Sequence, residues 1–115
     1  VLQLGVSGSQ LLDNVVDFRG VLTFREACLL LKYCKMFLTT EGGLVHGATT
    51  VDAKTLVVMT GYQSNKMVCY PQNINVDISS HGPCGLKIPC PQCAQDVLNH
   101  DEQEIIDIIR NENIF

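Results

Sequence analysis

The chain has 115 residues, 46% of them apolar, with 8 basic against 12 acidic side chains for a formal net charge of −4. That length suits one domain, 1–115, and that balance of apolar to charged residues excludes a disordered chain. The longest apolar run, Ala27 to Leu31, is far short of the roughly 20 residues of a bilayer-spanning helix, so no membrane insertion is expected. Up to Met59, five basic residues (Arg19, Arg25, Lys32, Lys35, Lys54) balance five acidic ones (Asp13, Asp17, Glu26, Glu41, Asp52), and the acidic excess lies downstream. No cluster of Lys and Arg with interleaved aromatics is present to replace the counterions of a phosphate backbone, which removes nucleic acid from the expected partners. Starting at Val1 rather than methionine, the chain reads as an excised domain or a processed product, with no signal peptide to be read.

Val1 to Val6 is apolar with partial alternation and stops at Ser7-Gly8-Ser9, the pattern of a strand and a turn. Residues 10–18 place Leu11, Leu12, Val15 and Phe18 on one helical face. Thr23-Phe24-Arg25-Glu26 is a capping box, in which the hydroxyl and the carboxylate satisfy backbone N–H groups that the first helical turn leaves unpaired. Behind it Ala27, Leu30, Leu31, Cys34, Phe37 and Leu38 recur at helical spacing, which predicts a helix over 24–38 with Cys28 and Cys34 as buried positions. Glu41-Gly42-Gly43 forms a turn, and Leu44 to Thr50 is expected to be a strand. Asp52 can cap a short helix through residues 53–59, closed by Gly61.

Lys66 to Tyr70 and Ile74 to Ile78 read as further strands, the second with Ile74, Val76 and Ile78 on one face. A cysteine-containing insertion at about 81–95 follows. The last helix carries Ile105, Ile108 and Ile109 on its buried side and Asp101, Glu102 and Glu104 at the positive end of its dipole. This order predicts an α+β domain, an open antiparallel sheet with its helices on one face.

Val51 to Gly61 resembles the short regulatory helix of the histidine-containing phosphocarrier protein (HPr) family, a Lys-Ser-hydrophobic segment followed by a glycine, and the elements over residues 20–115 fall in that family's order. Insertions near 62–73 and 81–95 depart from it. The resemblance implies an α+β fold and a cytoplasmic protein that works by binding another protein, and it maps the family's regulatory serine onto Thr55. The family's acceptor histidine has no counterpart: Gly20-Val21-Leu22-Thr23-Phe24-Arg25 puts Leu22 in its place, so phosphoryl transfer is not expected. A non-catalytic interaction or regulatory domain is the expectation that follows. His46, His81 and His100 all lie elsewhere.

His81-Gly82-Pro83-Cys84 and Cys90-Pro91-Gln92-Cys93 set an H-x2-C pair five residues ahead of a C-x2-C knuckle. Tetrahedral zinc takes four nitrogen or sulfur ligands, and His81, Cys84, Cys90 and Cys93 supply such a set, with His100 or Cys69 as substitutes for His81. The same atoms fit two other accounts. Cys90 and Cys93 before a helix could form a redox dithiol, or the cysteines could be plain structural residues. No Gly-rich phosphate loop and no nucleophile with its base is marked by local context, so an enzyme is not the expectation.

Overall fold

The computed structural model describes residues 1–62, 69–80, 84 and 90–112. These form four helices and two small sheets, both all-parallel. Strand β1 (Leu2–Gln3) pairs with β2 (Val16–Asp17), Leu2 opposite Val16. Helix α1 (Phe24–Leu31) leads to β3 (Phe37–Thr40), α2 (Gly43–Thr50), β4 (Thr55–Met59) and β5 (Ile74–Asp77), and the three strands form one sheet in the order β3-β4-β5. Helices α3 (Pro91–Asn99) and α4 (Glu102–Asn111) close the described chain.

The expected antiparallel sheet is therefore wrong, and the cause is an exchange of two elements. Residues 44–50, expected as a strand, are helix α2, and residues 53–59, expected as a helix, hold strand β4. A helix between two neighbouring strands carries the chain back to its starting edge, so β3 and β4 run parallel rather than as a hairpin. Val45 and Ala48, three residues apart, are the two fully buried positions of α2. Within β4, Thr55, Leu56, Val57 and Met59 are all buried, so both faces of this central strand are covered. Strands buried on both faces read as continuous apolar runs, and such a run carries no alternation to set it apart from a helix. Asp52 does not cap a helix; it turns the chain into β4 with φ of 55°.

Helix α1 has the expected capping box. The Thr23 hydroxyl accepts from the Glu26 amide, and the Glu26 carboxylate accepts from the Thr23 amide. It ends at Leu31 rather than near residue 38, with Tyr33 and Cys34 amides turning back onto the carbonyls of Leu30 and Leu31. Phe37 and Leu38 then belong to β3, and Cys34 is exposed while Cys28 is half-buried, so neither is the buried helix position expected of it. Residues 10–18 hold turns and β2 in place of a helix; Asn14 sits at φ of 60°, a conformation that interrupts helical hydrogen bonding and that asparagine tolerates. The Gln3 side chain pins this loop, donating to the Gln10 carbonyl at 2.7 Å and accepting from the Leu12 amide at 2.9 Å.

Two apolar clusters meet at α2. Val45 packs with Val57 and Met59, flanked by Cys69 and Tyr70; Ala48 packs with Leu31 and Ala53, flanked by Leu4, Leu44, Val51 and Phe37. Burying a Leu or Val side chain contributes about 1.5–3 kcal/mol, so these few residues account for much of the cohesion between helix and sheet. Helices α1 and α2 approach closely at Gly47, where a Cβ would overlap the Cys28 sulfur.

The alternation expected of 74–78 is present, with Val76 buried and Asn75 and Asp77 exposed. Of the strand expected over Lys66 to Tyr70, residues 66–68 lie outside the described residues. Helix α4 is capped by the Asp101 carboxylate, which accepts from the Gln103 amide at 3.0 Å, and Ile105, Ile108 and Ile109 are half-buried along one side. An ion pair between Lys54 and Glu112 ties the end of α4 to the start of β4. Among the described residues, no helix is long and apolar enough to cross a membrane.

Candidate metal centre

In an open parallel sheet the carboxyl ends of the strands are where the connecting turns converge and where ligands bind. At that edge the Glu41 carboxylate, just past β3, accepts hydrogen bonds from the amide and hydroxyl of Thr60, just past β4. The next residue, Gly61, is held at φ of 93°, and its carbonyl accepts from the Cys84 amide at 2.8 Å. Cys84 thus hangs from the end of the central strand.

Helix α3 supplies the other two thiols. Pro91 occupies its first turn, where its fixed φ suits a helix and its missing N–H leaves no donor unpaired. Cys90 is the N-cap, and its sulfur accepts from the Cys93 amide with N···S of 3.5 Å. Capping folds the C-x2-C segment so that both sulfurs lie on one side of the first turn. Cys93 Sγ stands 3.4 Å from Cys84 Sγ, and the three sulfurs of Cys84, Cys90 and Cys93 all lie within 4.8 Å of one another. With Zn–S bonds of about 2.3 Å, tetrahedral geometry separates sulfurs by about 3.8 Å, inside that span. Three cysteines at this spacing can hold a metal ion.

The electrostatics fit the same purpose. The Cys93 thiol is pushed up to about 12, first by burial and then by hydrogen bonding to Cys84 and Cys90 and by their charge. Burial and the neighbouring sulfurs thus oppose the thiolate form of Cys93 while no cation is present. A bound dication reverses that penalty, since it takes up the thiolates as ligands and releases their protons.

Behind the cysteines lies a polar clamp that sequence reasoning did not find. Asp96 on α3 is buried, and its carboxylate accepts from the Ser80 amide at 2.7 Å and the Ser80 hydroxyl at 2.8 Å. Gln92, inside the C-x2-C segment, donates to the Ser80 hydroxyl at 2.9 Å and to Asp96 at 3.1 Å. Ser80 follows β5, so the clamp fixes the first turns of α3 against the end of that strand. The i,i+4 spacing of Gln92 and Asp96 was the one signal for it in the sequence.

Of the other expected site residues, those described lie apart from this cluster. His81 lies outside the described residues. His100 is the C-cap of α3, at the opposite end of a nine-residue helix from Cys90, with Nδ1 4.0 Å from Glu104; it does not join the three sulfurs. Cys69 packs beside Val57 and Met59, its thiol pushed up by burial and by the charges of Asp77 and Glu41, and it does not join them either. His46 is paired with the Tyr70 hydroxyl. Thr55 is 1% exposed, and its hydroxyl donates to the Ala53 carbonyl at 2.9 Å; it opens strand β4, where the resemblance had required the first turn of a helix.

No family model, curated protein or solved structure matches this chain. The site is accordingly read from its own chemistry.

Proposed function

We propose that the chain is a zinc-stabilised module, in which Cys84, Cys90 and Cys93 hold the ion as thiolates and His81, by its H-x2-C spacing, completes the tetrahedron. The observation that carries this reading is the convergence of three sulfurs from two separate anchors, the Gly61 carbonyl and the α3 N-terminus. Soft thiolates favour zinc over the hard cations magnesium and calcium. The ion's role is structural: it fastens helix α3 to the carboxyl edge of the sheet, where the Asp96–Ser80–Gln92 clamp supports the same junction. Binding energy at such a site is folding energy, because the ligands converge only in the folded chain.

Metal analysis of the purified chain tests this, followed by titration with cobalt(II) as a coloured substitute for zinc. Equimolar metal with a thiolate-to-cobalt charge-transfer band is expected, lost in Cys93→Ser and unchanged in Cys34→Ser. A chain that takes up no metal, or whose Cys93→Ser variant binds as the parent does, overturns the reading.

A further inference from the structure

Within the three-sulfur cluster Cys93 is hydrogen-bonded to both other cysteines, and the pair that bridges sheet edge and helix is Cys84 with Cys93. Cys84 Sγ and Cys93 Sγ are 3.4 Å from each other, while the Cys90 sulfur is engaged as the cap of α3. A disulfide requires about 2.05 Å between sulfurs, so closure asks for a movement of about 1.4 Å. Cys84 belongs to neither a helix nor a strand, and rotation about its side chain supplies part of that movement. The two sulfurs also come from the two anchors that the metal would join.

We propose that hydroperoxide discharges this site by joining Cys84 to Cys93, so that a covalent link replaces the metal between sheet edge and helix. The proposal rests on the metal reading above. In the first step the Cys84 thiolate attacks a peroxide oxygen; an S–O bond forms, the O–O bond breaks and hydroxide leaves. In the second the Cys93 thiolate attacks the Cys84 sulfenic sulfur; the S–S bond forms and the S–O oxygen departs as hydroxide. Two sulfurs together lose two electrons, peroxide is reduced to two waters after uptake of two protons, and the dication is released. Cys90 is then the one thiolate left in the cluster, too few for a tetrahedral thiolate site. The Gly61 to Cys84 hydrogen bond and the Asp96 clamp involve no sulfur and persist, so the junction outlives the loss of its ion. A thiol reductant cleaves the bond and restores the ligand set.

The test uses zinc-loaded chain in a Cys34→Ser background, which removes the exposed thiol as a route to crosslinked dimers. Metal content is measured first, hydrogen peroxide is added in steps, released zinc is followed with a chelating dye, and disulfides are mapped by mass spectrometry. Zinc release equimolar with a Cys84–Cys93 crosslink, and re-uptake after dithiothreitol, is the expected result. Zinc that stays bound while peroxide is consumed overturns the proposal, as does release accompanied by a Cys90–Cys93 crosslink or by sulfinic acid. A chain without zinc before peroxide overturns the metal reading and the release together, and mapping of that chain still decides the pairing.

Discussion

Gly47 sits in the interior of α2, where alanine would ordinarily improve a helix by about 1 kcal/mol. Here a Cβ would run into the Cys28 sulfur on α1, inside any distance that two such atoms tolerate. Relief requires a swing of Cys28 about χ1, limited by the preceding helical turn, or a separation of the two helices. Overpacking of this kind costs about 1–3 kcal/mol, so Gly47→Ala is expected to destabilise by up to about 2 kcal/mol after the helical gain. In a Cys28→Ala background the obstructing sulfur is gone. The added methyl then meets Phe24 Cζ at 3.5 Å and the residue 28 Cβ at 3.6 Å, both ordinary contacts, and the same change should stabilise by about 0.5–1 kcal/mol. Urea denaturation of the four proteins, at fixed metal loading, gives the cycle and its coupling energy. An equal effect of Gly47→Ala in both backgrounds would refute the claim that the sulfur sets the distance between α1 and α2.

Asp96→Asn replaces an acceptor by a donor facing the Ser80 amide and hydroxyl; a loss of about 1–3 kcal/mol in stability is expected from the broken clamp, with zinc affinity down about 10–100-fold in a chelator competition. Thr23→Ala should cost about 1 kcal/mol in thermal or urea unfolding, as the amide of Glu26 loses its cap. Acid titration of stability has a defined sign at two carboxylates. Arg19 holds the Asp17 carboxyl at about 2 through hydrogen bonds and charge, and the Thr23 backbone lowers that of Glu26. Both contribute stability above the ordinary carboxylate range and lose it as pH falls through their lowered values, so stability should decline between about pH 4 and 2, less steeply in Asp17→Asn. Lys54→Ala removes a partly exposed ion pair and should lower the unfolding free energy measured in urea by no more than about 1 kcal/mol at low salt and less at high salt.

Elements with a chemical boundary signal were readable from the residues. The Thr23/Glu26 capping box marks the start of α1, Asp101 marks the start of α4, and strict alternation marks β5. The middle of the chain lacked such marks. Gly43 to Thr50 is rich in β-branched residues and glycine, yet burial of Val45 and Ala48 against β4 and α1 makes it a helix. Leu56 to Met59 is an unbroken apolar run because both faces of the strand are covered, which conceals its period. That exchange reversed the strand direction, and it turned the segment compared with the HPr regulatory helix into the central strand of a sheet. The cluster of Cys84, Cys90 and Cys93 was legible from spacing, since a C-x2-C turn is a local structure. The Asp96–Ser80 clamp was not, because it exists only where the end of β5 meets α3.

The hydrogen bond from the Cys84 amide to the Gly61 carbonyl has a bearing on the order of assembly. Each strand of the larger sheet pairs with its nearest successor along the chain, so the sheet can be put together stepwise during synthesis, with short excursions between partners. The three clustered thiols emerge after every described strand is made, and Cys84 hangs on Gly61, the second residue beyond the central strand's end. Under the proposed reading, ion capture follows assembly of the sheet beneath it and reports that this sheet is complete.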